Sequence, residues 1–131
     1  MMFVLDTNSL IYFFKGIGNV ATRLLDTPPK DIRIPSIVLY ELEVGIAKST
    51  HPTKRSQQLE ELISVTGVLP FGLREAKSAA QIRVELDNRG QSIGPHDFLI
   101  AATALANQAT LVTHNTNEFG RIEQLQIEDW Y

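Results

Sequence analysis

The sequence predicts a three-layer α/β domain with a central, mostly parallel sheet flanked by helices. Two observations lead there. Short apolar runs of strand length alternate with longer segments of helical period along the chain. One late segment, His96 to Gln108, is rich in alanine and apolar nearly all round, as helices buried against a sheet are. The 131 residues show no repeat, low-complexity run or linker, so residues 1–131 read as a single domain.

The elements follow in order. Phe3–Val4–Leu5 is an apolar run that stops at Asp6. Thr7 or Asn8 can cap a helix running to about Lys15, where Gly16 and Gly18 end it. A second helix runs from Val20 to Asp26 and is closed by Pro28–Pro29. Ile32 to Ile34 alternates with Arg33 and reads as a strand. Ser36 is placed to cap a helix through about Lys48, with Ile37, Tyr40, Glu41 and Val44 on one face. His51 to Lys54 reads as a loop, and Ser56 to Val65 as an amphipathic helix with Leu59, Leu62 and Ile63 as its stripe. Val68 to Phe71 is a third strand. A long helix spans Arg74 to Asn88, with Gly90 where a C-terminal capping glycine belongs. Gly94–Pro95 turns into the apolar helix. Thr110 to Thr113 and Leu125 to Trp130 complete the strands.

Composition narrows the function classes. Hydrophobic residues are 44% of the chain and charged residues 21%, which excludes a disordered or collagen-like protein. No apolar run approaches the roughly 20 residues that cross a bilayer. Met1 to Leu5 carries no basic residue and meets Asp6, unlike a signal peptide. The absence of cysteine excludes disulfides, thiolate metal sites and cysteine nucleophiles, and suits a reducing cytoplasm. Twelve Lys and Arg against fifteen Asp and Glu give a net charge of −3. Taken alone, that argues against general nucleic-acid binding.

The acids change that reading. In parallel α/β sheets, ligands bind beyond the carboxyl ends of the strands. Asp6 ends the first strand, and Asn115, Asn117 and Glu118 follow Thr113 at the end of a later one. Glu41 interrupts an apolar helix face, and Asp97 sits in the first turn of the apolar helix, where the helix dipole favours a carboxylate. Singly, Asp6 and Asp97 also read as helix caps and Glu41 and Glu118 as solvated surface. Together, all four fall where a single pocket can form, and buried carboxylates without basic partners call for a cation. An all-oxygen donor set favours Mg²⁺ or Mn²⁺ over zinc. His51, His96 and His114 lack the spacing of paired ligands; His96 and His114 adjoin the expected site.

Four blocks in this order resemble the PIN-domain ribonucleases, and among them the VapC toxins of bacterial VapBC toxin–antitoxin pairs. They are Leu5–Asp6–Thr7–Asn8, Tyr40–Glu41–Leu42, Ile93 through Ala102 around Pro95–His96–Asp97, and Leu111 through Phe119. The resemblance covers nearly the whole chain and implies a PIN-like three-layer fold. It makes Asp6, Glu41 and Asp97 the acidic triad that holds divalent metal. Where many relatives carry Asp, this chain has Asn115, so Glu118 is carried over as the fourth, outer ligand and Asn115 as a group that orients water on the metal. Thr7, Asn8 and Thr113 are expected to hydrogen-bond the carboxylates. The implied activity is metal-dependent endoribonuclease cleavage, of a tRNA anticodon loop and of initiator tRNA first. The implied partners are the RNA, a VapB-type antitoxin that blocks the metal pocket with a basic side chain, and a second copy of the chain.

Leaving the four acids out of the count turns −3 into +1, so an RNA substrate is compatible with the overall charge. Lys48, Lys54 and Arg55, clustered around one expected loop, lead the candidates for backbone contact. Three other readings compete. A phosphatase using Asp6 as nucleophile needs an acid two residues on, where this chain has Asn8. A receiver domain needs an acidic pair near the first strand and a lysine after a late one, where His114 stands. A PIN-like module that binds RNA without cutting it is distinguished by metal-dependent cleavage.

Overall fold

The computed structural model describes all 131 residues. Five strands form one sheet in the order β3-β2-β1-β4-β5, every pair parallel. They are β1 (Phe3–Leu5), β2 (Ile32–Pro35), β3 (Val68–Leu69), β4 (Thr110–Val112) and β5 (Ile127–Glu128). Seven helices flank the sheet: α1 (Thr7–Lys15), α2 (Val20–Leu25), α3 (Ser36–Ala47), α4 (Pro52–Thr66), α5 (Leu73–Asn88), α6 (Pro95–Ala106) and α7 (Thr116–Phe119). A single 3₁₀ turn at Pro29–Asp31 precedes β2. None of the helices is long and apolar enough to cross a membrane.

The strands are short, and β1, β2 and β4 at the centre are deeply buried while β3 and β5 at the edges are partly so. Val4 and Leu5 of β1 and Leu111 and Val112 of β4 are fully inaccessible. Central strands of a parallel sheet are covered on both faces, so they read as continuous apolar runs. Helix α6 contributes Phe98, Ile100, Ala101, Ala102, Thr103 and Ala104 to the same core, as its composition predicts.

The order places β1 between β2 and β4, with Phe3 paired to Ile32 on one side and to Thr110 on the other. The chain turns to opposite sides of the sheet from β1, which opens a crevice at the carboxyl ends of β1 and β4. Asp6 and Thr113 are the first residues beyond those two strands.

Four local expectations are corrected. Asp6, not Thr7 or Asn8, caps α1. Helix α3 begins at Ser36 after Pro35, and Ser36 makes no capping hydrogen bond. Its buried residues are Val38 and Leu42, whereas Tyr40 is 56% and Val44 39% exposed. A helix apolar on every side leaves periodicity no single face to choose, and the burial is rotated one residue from the expected stripe. Helix α4 starts at Pro52, so Lys54 and Arg55 lie in its first turn and not in a loop. Proline is at ease in a first turn because its missing N–H has no helical partner there anyway.

Candidate metal centre at the carboxyl edge of the sheet

The site is assembled from four places in the chain. Asp6 is 5% exposed and uses its two oxygens differently. Oδ1 accepts the Ser9 backbone N–H at 2.9 Å, the bond of a helix cap, while Oδ2 accepts the Thr113 hydroxyl at 2.6 Å. Capping and site membership therefore coexist in one side chain. Ser9, 2% exposed, adds a bond from its hydroxyl to the carbonyl of Val112 and ties the start of α1 to the end of β4. Asn8 is exposed and donates to none of the carboxylates. The third helical residue, not the second, faces a capping oxygen, which assigns to Ser9 the role expected of Asn8. An acid three residues before a serine at a helix start is the signal that was available in the sequence.

Glu41 stands on α3 at the rim, its side chain 29% exposed. Its Oε1 accepts the Thr7 hydroxyl at 2.6 Å, and its Oε2 lies 3.3 Å from His96 Nδ1. Asp97 is in the first turn of α6 behind Gly94, where a Cβ would come within 3.1 Å of Asp97 Oδ2. A side chain at 94 would press on the carboxylate and move it by a few tenths of an ångström. A cleft of about 270 Å³ is lined by Glu41, Gly94, Pro95, His96 and Asp97.

The fourth acid is carried by α7, a single turn that short apolar periodicity could not reveal. Glu118 Oε2 accepts the Asn115 side-chain amide at 2.9 Å. The Asn115 backbone N–H donates to Thr113 Oγ1 at 3.0 Å. Thr113 is fully buried and links the two halves, since its hydroxyl accepts from Asn115 while donating to Asp6. His114 turns away to Asp129, with Nδ1 at 2.9 Å from Oδ2, and stacks on Tyr131.

The charges report on one another. Asp97 is pushed from 3.8 up to about 6, first by burial and then by the negative charges of Glu118, Asp6 and Glu41, with His96 opposing. Asp6 is also raised, chiefly by burial, against the hydrogen bonds of Thr113 and Ser9 and with Glu41 adding to the rise. Four carboxylates from four segments thus share one local field, although no three acidic or imidazole groups stand ready-made around one point. Thr7, Thr113 and Asn115 hold Glu41, Asp6 and Glu118 by hydrogen bonds, while the Asp97 carboxylate accepts none. The arrangement fits a hard cation: the donors are all oxygen, the field is negative, and no lysine or arginine forms an ion pair with any of the four.

The cations expected to meet RNA are spread over two helices. Lys48 ends α3 and Lys54 is exposed on α4. Arg55 is half-buried, bonded to Gln58 Oε1 at 3.0 Å and to the Phe14 carbonyl at 3.5 Å.

Residues 3–125 match the family model described as PIN domain. The chain is 36% identical over 132 residues to a ribonuclease VapC2 of Rickettsia felis, covering 99% of this chain and 98% of the relative. It is 35% identical over 130 residues to a tRNA(fMet)-specific endonuclease VapC of Salmonella typhimurium, with the same coverage. Its fold matches, with a TM-score of 0.91, a chain in the crystal structure of VapBC2 from Rickettsia felis bound to a DNA fragment from their promoter. The match has 34% identity and covers 100% of both chains.

Proposed function

Because the chain belongs to the PIN-domain family, among its VapC ribonucleases, we propose that it is a divalent-metal-dependent endoribonuclease and the toxin of a VapBC-type pair. The observation that carries the metal-dependent part is the common field of Asp6, Glu41, Asp97 and Glu118 at the sheet's carboxyl edge. Asp6, Glu41 and Asp97 would hold the cation, with Glu118 on the outer side. When bound, Mg²⁺ or Mn²⁺ activates water as the nucleophile and polarises the phosphoryl oxygens of the scissile bond.

The chain's own residues orient that chemistry. Thr113 and Ser9 fix the Asp6 carboxylate from both sides. Thr7 holds one oxygen of Glu41 and leaves the other near His96. Asn115 aims Glu118. Cleavage by water leaves 3′-hydroxyl and 5′-phosphate ends, whereas 2′,3′-cyclic phosphate ends would refute this mechanism.

The substrate we propose is tRNA, with the anticodon loop of initiator tRNA first. The likeness to the tRNA(fMet)-specific relative over the whole chain supports this. Single-stranded loops offer their base edges to a protein as duplex RNA does not.

The inhibiting partner is a VapB-type antitoxin. An apolar groove of about 400 Å³ runs between α1, α2 and α4, lined by Phe13, Phe14, Leu24, Leu25, Leu62 and Val65. Leu25 is 76% and Val65 57% exposed, on the two helices whose stripes exceed what the core uses. An amphipathic helix fits such a groove.

The test is incubation of antitoxin-free protein with total tRNA in Mg²⁺ or Mn²⁺, beside Asp6→Ala and EDTA controls. Cuts in one anticodon loop that vanish in both controls are the expected result. Binding of RNA without cleavage would move the reading to a non-catalytic PIN-like module, which the amide at Asn115 would then explain.

A further inference from the structure

A second pocket is lined by Glu41 and does not include His96. Its volume is about 230 Å³, against ~30 Å³ for a water molecule, so it has room for a ring-sized group. Ile11 and Phe14 of α1 and Leu42 and Ile46 of α3 give it apolar walls. Lys15, exposed, and Arg55, half-buried, line it as well. Glu41 lines both this pocket and the cleft that holds Asp97, so the two spaces share one side chain of the acidic site.

Gly45 also lines it, one helical turn beyond Glu41 on the same face of α3. Glycine is among the poorest residues for a helix interior. Its backbone here is not in the left-handed region, and a Cβ at this position would meet nothing within 4 Å. Neither backbone geometry nor packing therefore calls for glycine at 45. What its missing side chain provides is open space over the face that carries Glu41.

We propose that this pocket is a nucleotide subsite, in which the base flanking the scissile phosphate sits over Gly45 while Lys15 and Arg55 hold the adjoining phosphate. The inference rests on the ribonuclease reading above and deepens it. Charge selects the occupant. The protein carries −3 overall, yet neither Lys15 nor Arg55 is paired with a carboxylate. Arg55 is held to neutral partners, Gln58 and the Phe14 carbonyl, which fix its direction and leave its charge available. A flat apolar ring joined to an anion matches apolar walls with two unpaired cations, and RNA is made of such units.

The experiment begins by mapping the cut that the wild type makes in an RNA in Mg²⁺. The same RNA is then made with an abasic residue on either side of the cut. The wild type is expected to lose about tenfold in kcat/KM when the base on one flank is removed. Gly45→Leu fills the pocket; it should lose a similar factor on intact RNA, mainly through KM, and should no longer distinguish intact from abasic RNA. Gly45→Ala adds a single carbon and should keep the distinction.

Equal losses by Gly45→Leu on intact and abasic RNA would overturn the subsite. So would wild-type cleavage kinetics in Gly45→Leu combined with weaker inhibition by the antitoxin, which would assign the pocket to the antitoxin. If circular dichroism shows Gly45→Leu unfolded, the Lys15→Ala/Arg55→Ala variant decides. It should lower the slope of log affinity against log salt by about 1.4, the release of two counterions from a single strand; an unaltered slope refutes the phosphate contact. Absence of metal-dependent cleavage by the wild type itself would instead defeat the ribonuclease reading beneath it.

Discussion

Thr113 joins a near partner to a distant one: its hydroxyl accepts the Asn115 backbone N–H two residues on and donates to Asp6, which lies 107 positions away. Replacing it by valine keeps the shape and removes the donor. The Asp6 carboxyl, already raised, would rise further and bind cations less well. Thr113→Val is expected to weaken Mn²⁺ binding by about 10- to 100-fold by calorimetry and to lower cleavage in step. Asp97 gives a prediction with a sign. Its value rises from 3.8 to about 6 on folding, so between those values the native state holds a proton that the unfolded chain has lost. Stability of the metal-free protein then falls as pH rises through that window and stays lower above it. A cation reverses the penalty. Mg²⁺ should raise Tm more at about pH 7.5 than at about pH 5, and Asp97→Asn should raise the metal-free Tm at the higher pH while removing most of the Mg²⁺ gain. At this scale the acids were legible because carboxylates on strand ends and apolar helices are conspicuous. Ser9 was only half legible: its spacing from Asp6 is visible in the sequence, but the bond of its hydroxyl to the Val112 carbonyl, 103 positions away, is not.

Helix α3 trades stability for space at Gly45. Gly45→Ala should stabilise the fold by about 1 kcal/mol in denaturant unfolding, because alanine is the better helix residue and nothing obstructs its Cβ. Helices α5 and α6 are joined by a different device. Glu75, 6% exposed, accepts the Gly72 backbone N–H at 2.9 Å and the Asn107 amide at 3.2 Å, linking the start of one helix to the end of the other. The Gly72 bond, above all, holds its carboxyl below 4.5. Its stabilisation is therefore present above that value and lost as pH falls below it. Glu75→Ala should cost on the order of 1–3 kcal/mol at neutral pH, and less in acid. The strands and long helices were legible in the sequence because burial on both faces and capping glycines leave plain marks. The start of α4 was hidden by a proline that marks both loops and first turns. The buried face of α3 was hidden by an excess of apolar residues, and α7 by its four-residue length.

For the whole molecule, net charge is a poor guide to substrate. Four of the fifteen acids lie at one edge of one sheet, and Lys48, Lys54 and Arg55 lie on α3 and α4 beyond Glu41. Neutralising those three cations should weaken RNA binding and flatten its salt dependence, with a slope reduced by about 2 for three contacts on a single strand. An unchanged slope would dismiss them. The parallel sheet and the edge that gathers the four acids could be anticipated from strand ends and buried helices. The strand order could not, because it depends on which distant segments β1 accepts as neighbours, and β1 itself is only Phe3–Leu5.

That dependence also fixes when activity becomes possible. β1 gains its second neighbour only when β4 exists, and Asp6 gains its hydroxyl partner only at residue 113. An emerging chain carries Asp6 and Glu41 early but has neither Asp97 nor the strand that closes the edge. A chain shortened before β4 lacks both the strand that flanks β1 and the hydroxyl that holds Asp6, and is expected not to cleave RNA even where Asp97 is present.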